Sequence, residues 1–351
     1  MTVKIAFVGF GGVGQGLLRI LQERKEKLQK EEGLDTQVVA VSDLMKGSVY
    51  DPEGLDPEEL LRLASEKRPL DEYNGRSTTV KGLDSLETIR DTNADMIVEV
   101  TFTDVKTGQP AIDHCRAAFE KGKSVITTNK GPVAIAYQEL QELADKNGAF
   151  WGFEGTVMSG TPALRLPQET LRGNTIREIS GILNGTTNYM LTEMEKGLSY
   201  DGALTKAKEQ GFAEADPTSD VEGYDARYKA VILANVIMGV PLKAEDVACT
   251  GITEITQEKL QEAISEGKRL RLTAKITRTE SGVKAAVSPE KLAQDNPLAG
   301  VQGATNAILY DCDLAGPIFL TGAGAGLTET GFSLLIDLIH SERRKAAVRQ
   351  T

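Results

Sequence analysis

A glycine run at the first turn of the chain, Gly9-Phe10-Gly11-Gly12-Val13-Gly14, fits the pattern GxGxxG. The pattern alone is weak, and its surroundings give it meaning. Residues 3–8 read as a short, mostly apolar strand. Residues 13–31 carry Val13, Leu17, Leu18, Leu21 and Leu28 at helical spacing over a charged face, and 38–41 read as a second buried strand. Strand, glycine loop, helix and strand compose one βαβ unit of the kind that binds dinucleotides. Gly9 permits the tight turn, Gly11 lets backbone approach a pyrophosphate, Gly14 lets the helix pack closely, and the helix N-terminus faces the phosphate charge. An ordinary glycine-rich turn is the plainer reading.

Asp43, at the end of the second strand, is placed to accept the ribose hydroxyls of NAD. Lys46, three residues on, could pair instead with the 2′-phosphate of NADP, and Asp43 could equally cap its own turn. The choice between the dinucleotides stays open at this point.

Strand and helix signals keep alternating to about residue 130, as in a parallel sheet with crossover helices. Residues 46–81 interrupt as a polar insertion with a helix-like stretch at 57–67. Strands follow at 96–100 and 124–126, with a helix at 107–121 between them. From Phe150 the pattern changes to longer alternating strands, such as 176–183, and longer helices, such as 225–238. The chain ends with Gly322-Ala323-Gly324-Ala325-Gly326 and an apolar helix from about 328 to 340. At 351 residues the chain exceeds the roughly 250–300 at which single cores stop growing, so two closely joined domains are expected.

Composition removes whole chemistries. The three cysteines, Cys115, Cys249 and Cys312, are far apart, and with only two histidines no CxxC or HExxH spacing occurs, which argues against a zinc site and against a disulfide scaffold. A formal charge of −11 disfavours nucleic acid and anionic lipid as partners. The N-terminus runs straight into a strand without a signal-peptide pattern, and no apolar run reaches about 18 residues, so a soluble cytoplasmic protein is expected.

The proton that accompanies hydride transfer needs a carrier. His114, in a helical stretch beside Cys115, and His340, in the terminal helix, read as structural. Lysine is the alternative, since a buried ammonium can donate to a developing alkoxide. Lys130 follows the strand at 124–126, at the carboxyl end of the sheet. Lys229 lies four residues after Asp225, which puts carboxylate and ammonium on one helical face. Spacing alone also allows a surface ion pair there. The preceding loop, Glu214-Ala215-Asp216-Pro217-Thr218-Ser219-Asp220, lacks basic residues; its carboxylates suit a substrate ammonium, and they equally suit a solvated loop.

Together these residues resemble the homoserine dehydrogenase family. The resemblance rests on Gly181-Ile182-Leu183-Asn184-Gly185-Thr186-Thr187-Asn188-Tyr189-Met190-Leu191, on Gly211-Phe212-Ala213-Glu214-Ala215-Asp216-Pro217, and on Asp220-Val221-Glu222-Gly223-Tyr224-Asp225 through Lys229. Further matches are the Gly9–Gly14 loop, Asn129-Lys130-Gly131-Pro132, Glu154-Gly155-Thr156-Val157 and Gly322-Ala323-Gly324-Ala325, so it covers essentially the whole chain.

The resemblance implies NAD(P)-linked interconversion of L-homoserine and L-aspartate 4-semialdehyde, towards threonine, isoleucine and methionine. Lys229 would donate the proton, with Asp225 and Lys130 ordering the reacting groups. Glu214, with Asp220 of the same acidic stretch, would bind the substrate ammonium. Thr101 and Lys130 would line the nicotinamide end, and Gly324 would touch the cofactor. It also implies a monovalent cation, usually sodium, held by Glu154 and the carbonyls of Val157, Ser159 and Thr161, an all-oxygen set that suits a hard cation. Two departures stand out: Val157-Met158-Ser159-Gly160-Thr161-Pro162 replaces a more glycine-rich stretch, and Phe212 stands where relatives often have tyrosine.

The implied fold is α/β: a Rossmann-type doubly wound parallel sheet over 1–149, completed by about 310–351, plus an α+β substrate and dimerisation domain over 150–309. The family forms homodimers. Some relatives append a regulatory domain or a kinase module; the stretch after Gly326 is enough for one helix, so such control is not expected. Hydride would pass in the cleft between cofactor and substrate domains. Two rivals predict other behaviour. A semialdehyde dehydrogenase needs a thiolate, which none of the three cysteines suits, and a dinucleotide-sensing protein would bind cofactor without turnover.

Overall fold

The computed structural model describes residues 2–102 and 104–350; Met1 and Thr351, the outer limits of the expected domains, lie outside them. The chain divides into two compact units. One runs up to Thr156 and resumes at Gly326, and the other is Val157–Ala325.

The first unit holds a seven-stranded sheet of β1 (Thr2–Val8), β2 (Asp35–Asp43), β3 (Gly47–Tyr50), β4 (Val80–Lys81), β5 (Met96–Glu99), β6 (Ser124–Thr127) and β7 (Trp151–Gly152). Their order is β4-β3-β2-β1-β5-β6-β7. The chain winds outward from β1 in both directions, so the carboxyl ends of β1 and β5 flank a topological switch point, where open α/β sheets bind ligands. Strands β1, β2, β5, β6 and β7 are mutually parallel, while at one edge β3 pairs antiparallel with β2 and β4 antiparallel with β3. The expected insertion at 46–81 therefore extends the sheet and makes it mixed: Val49 is buried and pairs with Val41, which a solvated loop could not do.

Central strands are near-continuous apolar runs because helices cover both faces. Ile5, Ala6, Phe7 and Val8 are fully buried, each of the larger side chains contributing about 1.5–3 kcal/mol. The expected helix at 13–31 is two helices, Gly12–Glu23 and Lys25–Glu32, broken at Arg24; only Leu28 is buried beyond the break, too little to hold one straight rod against the core. The terminal helix Leu327–Gln350 packs on Gly12–Glu23. The crossing is tight: a Cβ on Gly331 would lie 3.1 Å from the Gly16 carbonyl carbon.

The second unit is built on a six-stranded sheet of order β13-β12-β8-β10-β11-β9, with β8 (Ile176–Ile182), β9 (Ala248–Cys249), β10 (Lys268–Thr279), β11 (Gly282–Ala293), β12 (Thr305–Cys312) and β13 (Gly316–Ala323). The return to the first unit thus comes at Gly326, not near 310, because β12 pairs with β8 and β13 with β12. Likewise the outward step falls after Thr156, since Trp151 and Gly152 pair with β6. The expected helix at 225–238 is Tyr224–Leu233 followed by a π-turn, Ala234–Met238. No helix among the described residues is long and apolar enough to cross a membrane.

Candidate active site

In the first unit the glycine loop leaves β1 with Gly9 at φ +90°, a conformation that favours glycine. A Cβ there would lie 2.6 Å from the Val100 carbonyl oxygen, so the turn is closed to any side chain. Gly14 is nearly as confined, 3.1 Å from the Gly9 oxygen. At Gly11, by contrast, an added Cβ meets nothing within 4 Å: backbone is laid open just before the helix Gly12–Glu23. Open backbone at a helix N-terminus suits a pyrophosphate.

Asp43 closes this loop from β2. Its Oδ2 accepts from Phe10 N at 2.8 Å and Lys46 Nζ at 3.3 Å, and its Oδ1 accepts from Met45 N and Lys46 N, both at 3.0 Å. Burial pushes its carboxyl up, but the Phe10 and Met45 amides and the Lys46 ammonium outweigh that and hold it below the usual carboxylate range. It therefore caps its own turn and, in doing so, ties that turn to the glycine loop.

Thr101 and Lys130 follow β5 and β6. Thr101 donates through Oγ1 to Glu99, and Lys130 opens the helix Lys130–Ile135, whose N-cap is Asn129. Glu99 itself went unnoticed in the sequence, although it is the one charge in the apolar run Met96-Ile97-Val98-Glu99-Val100. It is fully buried and paired to His114 Nδ1 at 3.2 Å, which accounts for that histidine structurally.

The second unit assembles a cluster around Lys229, which is 6% exposed. Its Nζ donates to Asp225 Oδ2 at 2.7 Å and to the Leu183 carbonyl at 2.6 Å. Lys229 is buried and Asp225 largely so, not the exposed pair that spacing alone allows. Asn184 serves twice. Its Oδ1 caps the helix Gly185–Glu195 by accepting from Thr187 N at 2.9 Å, and its Nδ2 bridges Asp220 Oδ1 at 2.7 Å and Asp225 Oδ2 at 2.9 Å. Burial, with the Asp225 charge adding to it, pushes the Asp220 carboxyl above its ordinary value, against the Asn184 amide and the Lys229 charge. Asn306, also unforeseen, donates through Nδ2 to the same Leu183 carbonyl at 2.9 Å. Gly324 lies against it: a Cβ there would be 2.3 Å from the Asn306 amide. The expected cofactor residue Gly324 thus belongs to the lysine's unit. Glu214 is exposed on the loop after the helix Tyr200–Glu209, and the main chain of that loop is tied to Thr186 through the Phe212 carbonyl.

The segment expected to hold a cation straddles the division between units, with Glu154 before it and Val157, Ser159 and Thr161 after it. Glu154, Val157 and Ser159 are buried. Glu154 N donates to Asp337 at 3.0 Å, Ser159 adopts φ +52°, and the Thr161 carbonyl accepts from Ala163 N at 2.7 Å. Among the described residues no cluster of three or more His, Cys, Asp or Glu side chains could hold a metal. A cation here would need main-chain oxygens beside the one carboxylate. The three thiols are held protonated. Burial is the main cause at each, aided by Glu99 at Cys115, by Glu222 at Cys249, and by Asp311 and Asp313 at Cys312.

Comparison with known proteins converges on one family. Residues 162–339 match the model described as homoserine dehydrogenase, and residues 9–154 match that described as its NAD binding domain. An NAD(+)-dependent homoserine dehydrogenase from Pseudomonas canavaninivorans is 44% identical over 96% of this chain and 95% of its own. The homoserine dehydrogenase of Methanocaldococcus jannaschii is 41% identical over 96% of this chain and 98% of its own. Among solved structures, a hyperthermophilic archaeal homoserine dehydrogenase in complex with NADPH superposes with a TM-score of 0.82 at 30% identity, covering 98% of both chains. The chain belongs to the homoserine dehydrogenase family.

Proposed function

We propose that this protein interconverts L-homoserine and L-aspartate 4-semialdehyde, with Lys229 as the proton-transferring group. The observation that carries the assignment is the buried Lys229 ammonium, fixed between Asp225 Oδ2 and the Leu183 carbonyl within the segment matched to the family. A bound nicotinamide supplies the hydride in the reductive direction. Lys229 gives its proton to the aldehyde oxygen as that oxygen takes on negative charge, completing the hydroxyl of homoserine. Asp225 orients the ammonium and then faces a neutral amine, which recovers its proton from solvent. General acid catalysis of this kind contributes about 10²–10⁴-fold in rate.

Glu214 and Asp220 supply carboxylates for the substrate ammonium. The dinucleotide takes Gly9, Phe10, Gly11, Gly12, Val13 and Gly14 for its pyrophosphate, Asp43 for a ribose, and Thr101, Lys130 and Gly324 toward the nicotinamide; the open backbone at Gly11 fits this. Lys130 orders the reacting groups from the first unit. Glu154, with the carbonyls of Val157, Ser159 and Thr161, is an oxygen-only set that fits sodium, which would neutralise the buried carboxylate and stiffen the turn. A homodimer fits β13, an edge strand without a charged side chain, Gly316-Pro317-Ile318-Phe319-Leu320-Thr321-Gly322-Ala323. A cytoplasmic setting fits three protonated, unpaired thiols.

Steady-state oxidation of homoserine with NAD and with NADP, followed by nicotinamide absorbance, tests the activity. Turnover that survives thiol alkylation and needs no phosphate is expected. Cofactor binding without homoserine-dependent turnover would leave only a dinucleotide-sensing role. In the same assay Asp43→Ala should narrow the preference between NAD and NADP, and an unchanged ratio would remove Asp43 from the ribose.

A further inference from the structure

Glu99 is the last residue of β5, and it pairs in register with Val8 of β1 on one side and Thr127 of β6 on the other. Val8 directly precedes Gly9. The carboxylate therefore sits at the switch point of the sheet, one residue behind the dinucleotide turn, at a level where the neighbouring strand places valine. It is fully buried. A lone carboxylate there would be strongly disfavoured by desolvation, and four side chains offset this. Thr101 Oγ1 and His114 Nδ1 meet Oε1, the latter at 3.2 Å, while Thr127 Oγ1 at 3.2 Å and Asn129 Nδ2 at 3.1 Å donate to Oε2. Thr101 N also approaches Oε1 at 3.3 Å.

These partners are not scattered. Thr101 lies on the segment leaving β5, and Asn129 lies on the segment leaving β6, where its Oδ1 accepts from Gly131 N at 3.3 Å and so sets the start of the helix that Lys130 opens. One carboxylate thus joins the two chain segments that leave the sheet beside the glycine turn. With no exposed surface and its oxygens occupied, it acts through its neighbours.

We infer that Glu99 is a positioning residue for the nicotinamide end of the dinucleotide site, holding Thr101 and the Asn129–Lys130 turn in the places from which they act. The inference rests on the reading that Thr101 and Lys130 face the nicotinamide. In the full-length protein, Glu99→Gln keeps the volume but replaces an acceptor oxygen with a donor, which confronts either Asn129 Nδ2 and Thr127 Oγ1, or Thr101 Oγ1 and His114 Nδ1, with the wrong group. With Thr101 and the Asn129–Lys130 turn displaced, the dissociation constant for NADH, titrated by nicotinamide fluorescence, is expected to rise about tenfold or more. The KM for the dinucleotide should rise with it, while the KM for homoserine stays within about twofold. Thr101→Val, which removes only the hydroxyl, should move NADH binding the same way by a smaller factor. His114→Gln reports on packing, because it touches Glu99 from the helix Ala111–Glu120.

Unchanged NADH binding in both Glu99→Gln and Thr101→Val overturns the inference. So does a loss in His114→Gln as large as that in Glu99→Gln, which would mark the cluster as fold stability alone. If Glu99→Gln does not fold, Thr101→Val decides: NADH affinity equal to wild type is then the refuting result. The catalytic reading fails separately, through absence of homoserine turnover in the wild-type protein, and NADH titration still decides Glu99 in that case.

Discussion

The two units solve their binding problems with different parts of the polypeptide. The glycine loop is a backbone device: Gly9 leaves no room for a side chain, Gly14 only a tight fit, and Gly11 opens main chain toward a ligand. The Lys229 cluster is mainly a side-chain device, in which an ammonium, two carboxylates and two amides are joined at 2.6–2.9 Å directly or through the Leu183 carbonyl. The first should fail by steric strain and the second by lost charge or proton chemistry. The lesson is that the same protein carries one site that tolerates almost no added atoms and another that tolerates almost no removed ones.

Lys229→Ala should produce the largest effect, a fall in kcat of about 10²–10⁴-fold, with NADH affinity close to wild type. Retention of most of the turnover would show that the proton travels elsewhere. Next comes Gly9→Ala, where left-handed backbone costs roughly 1–2 kcal/mol before the clash with Val100 is counted. Thermal melting should fall by several degrees and NADH binding should be lost; a variant as stable as wild type would refute the steric account. Gly11→Ala separates fold from ligand. Its φ of −78° is open to alanine, so stability should change by under about 0.5 kcal/mol, while NADH binds about tenfold or more weakly. If binding is unaffected, Gly11 is not the point of close approach.

The smallest effect concerns pH, and it sets one half-buried carboxylate of each unit against the other. Asp220 has a raised pKa in the folded protein, so the folded state keeps a proton that the unfolded chain releases. Its favourable contribution is full below the unfolded value of about 3.9 and is lost as pH rises through the raised folded value. Asp43 is the reverse: its lowered pKa gives stability that is present above the unfolded value and lost as pH falls through the folded one. Asp220→Asn should therefore raise the melting temperature slightly at neutral pH and not at about pH 3, below the unfolded value, at the expense of a higher KM for homoserine. A stability difference that did not vary with pH would dismiss the burial account of Asp220.

Legibility followed distance along the chain. The Gly9–Gly14 loop could be read because its partners, the strand before it and the helix after it, are its sequence neighbours. Asp225 and Lys229 could be paired because four residues return a helix to the same face. Glu99, a lone charge in an apolar strand, went unread because, apart from Thr101, its partners lie on a helix and at the end of the next strand, and only the tertiary fold gathers them. Asn306 meets Leu183 across 123 residues, a contact with no local trace. The end of the chain shows the same limit: Gly324 packs against the Asn306 amide, which occupies the space of a Cβ, and no local pattern announces that neighbour.

The sequence by itself determined the dinucleotide turn, the alternation that makes the first sheet, the lysine–aspartate spacing and the family, since each depends on backbone freedom, hydrophobic period or contiguous motif. Tertiary structure alone decided that Lys229 is buried against Asp225, that Asp43 is tied to Phe10, that burial pushes the Asp220 carboxyl up from its ordinary value and that Glu99 unites two chain segments. Those properties depend on desolvation and on hydrogen-bond geometry between distant residues, which come into being only when the sheets form.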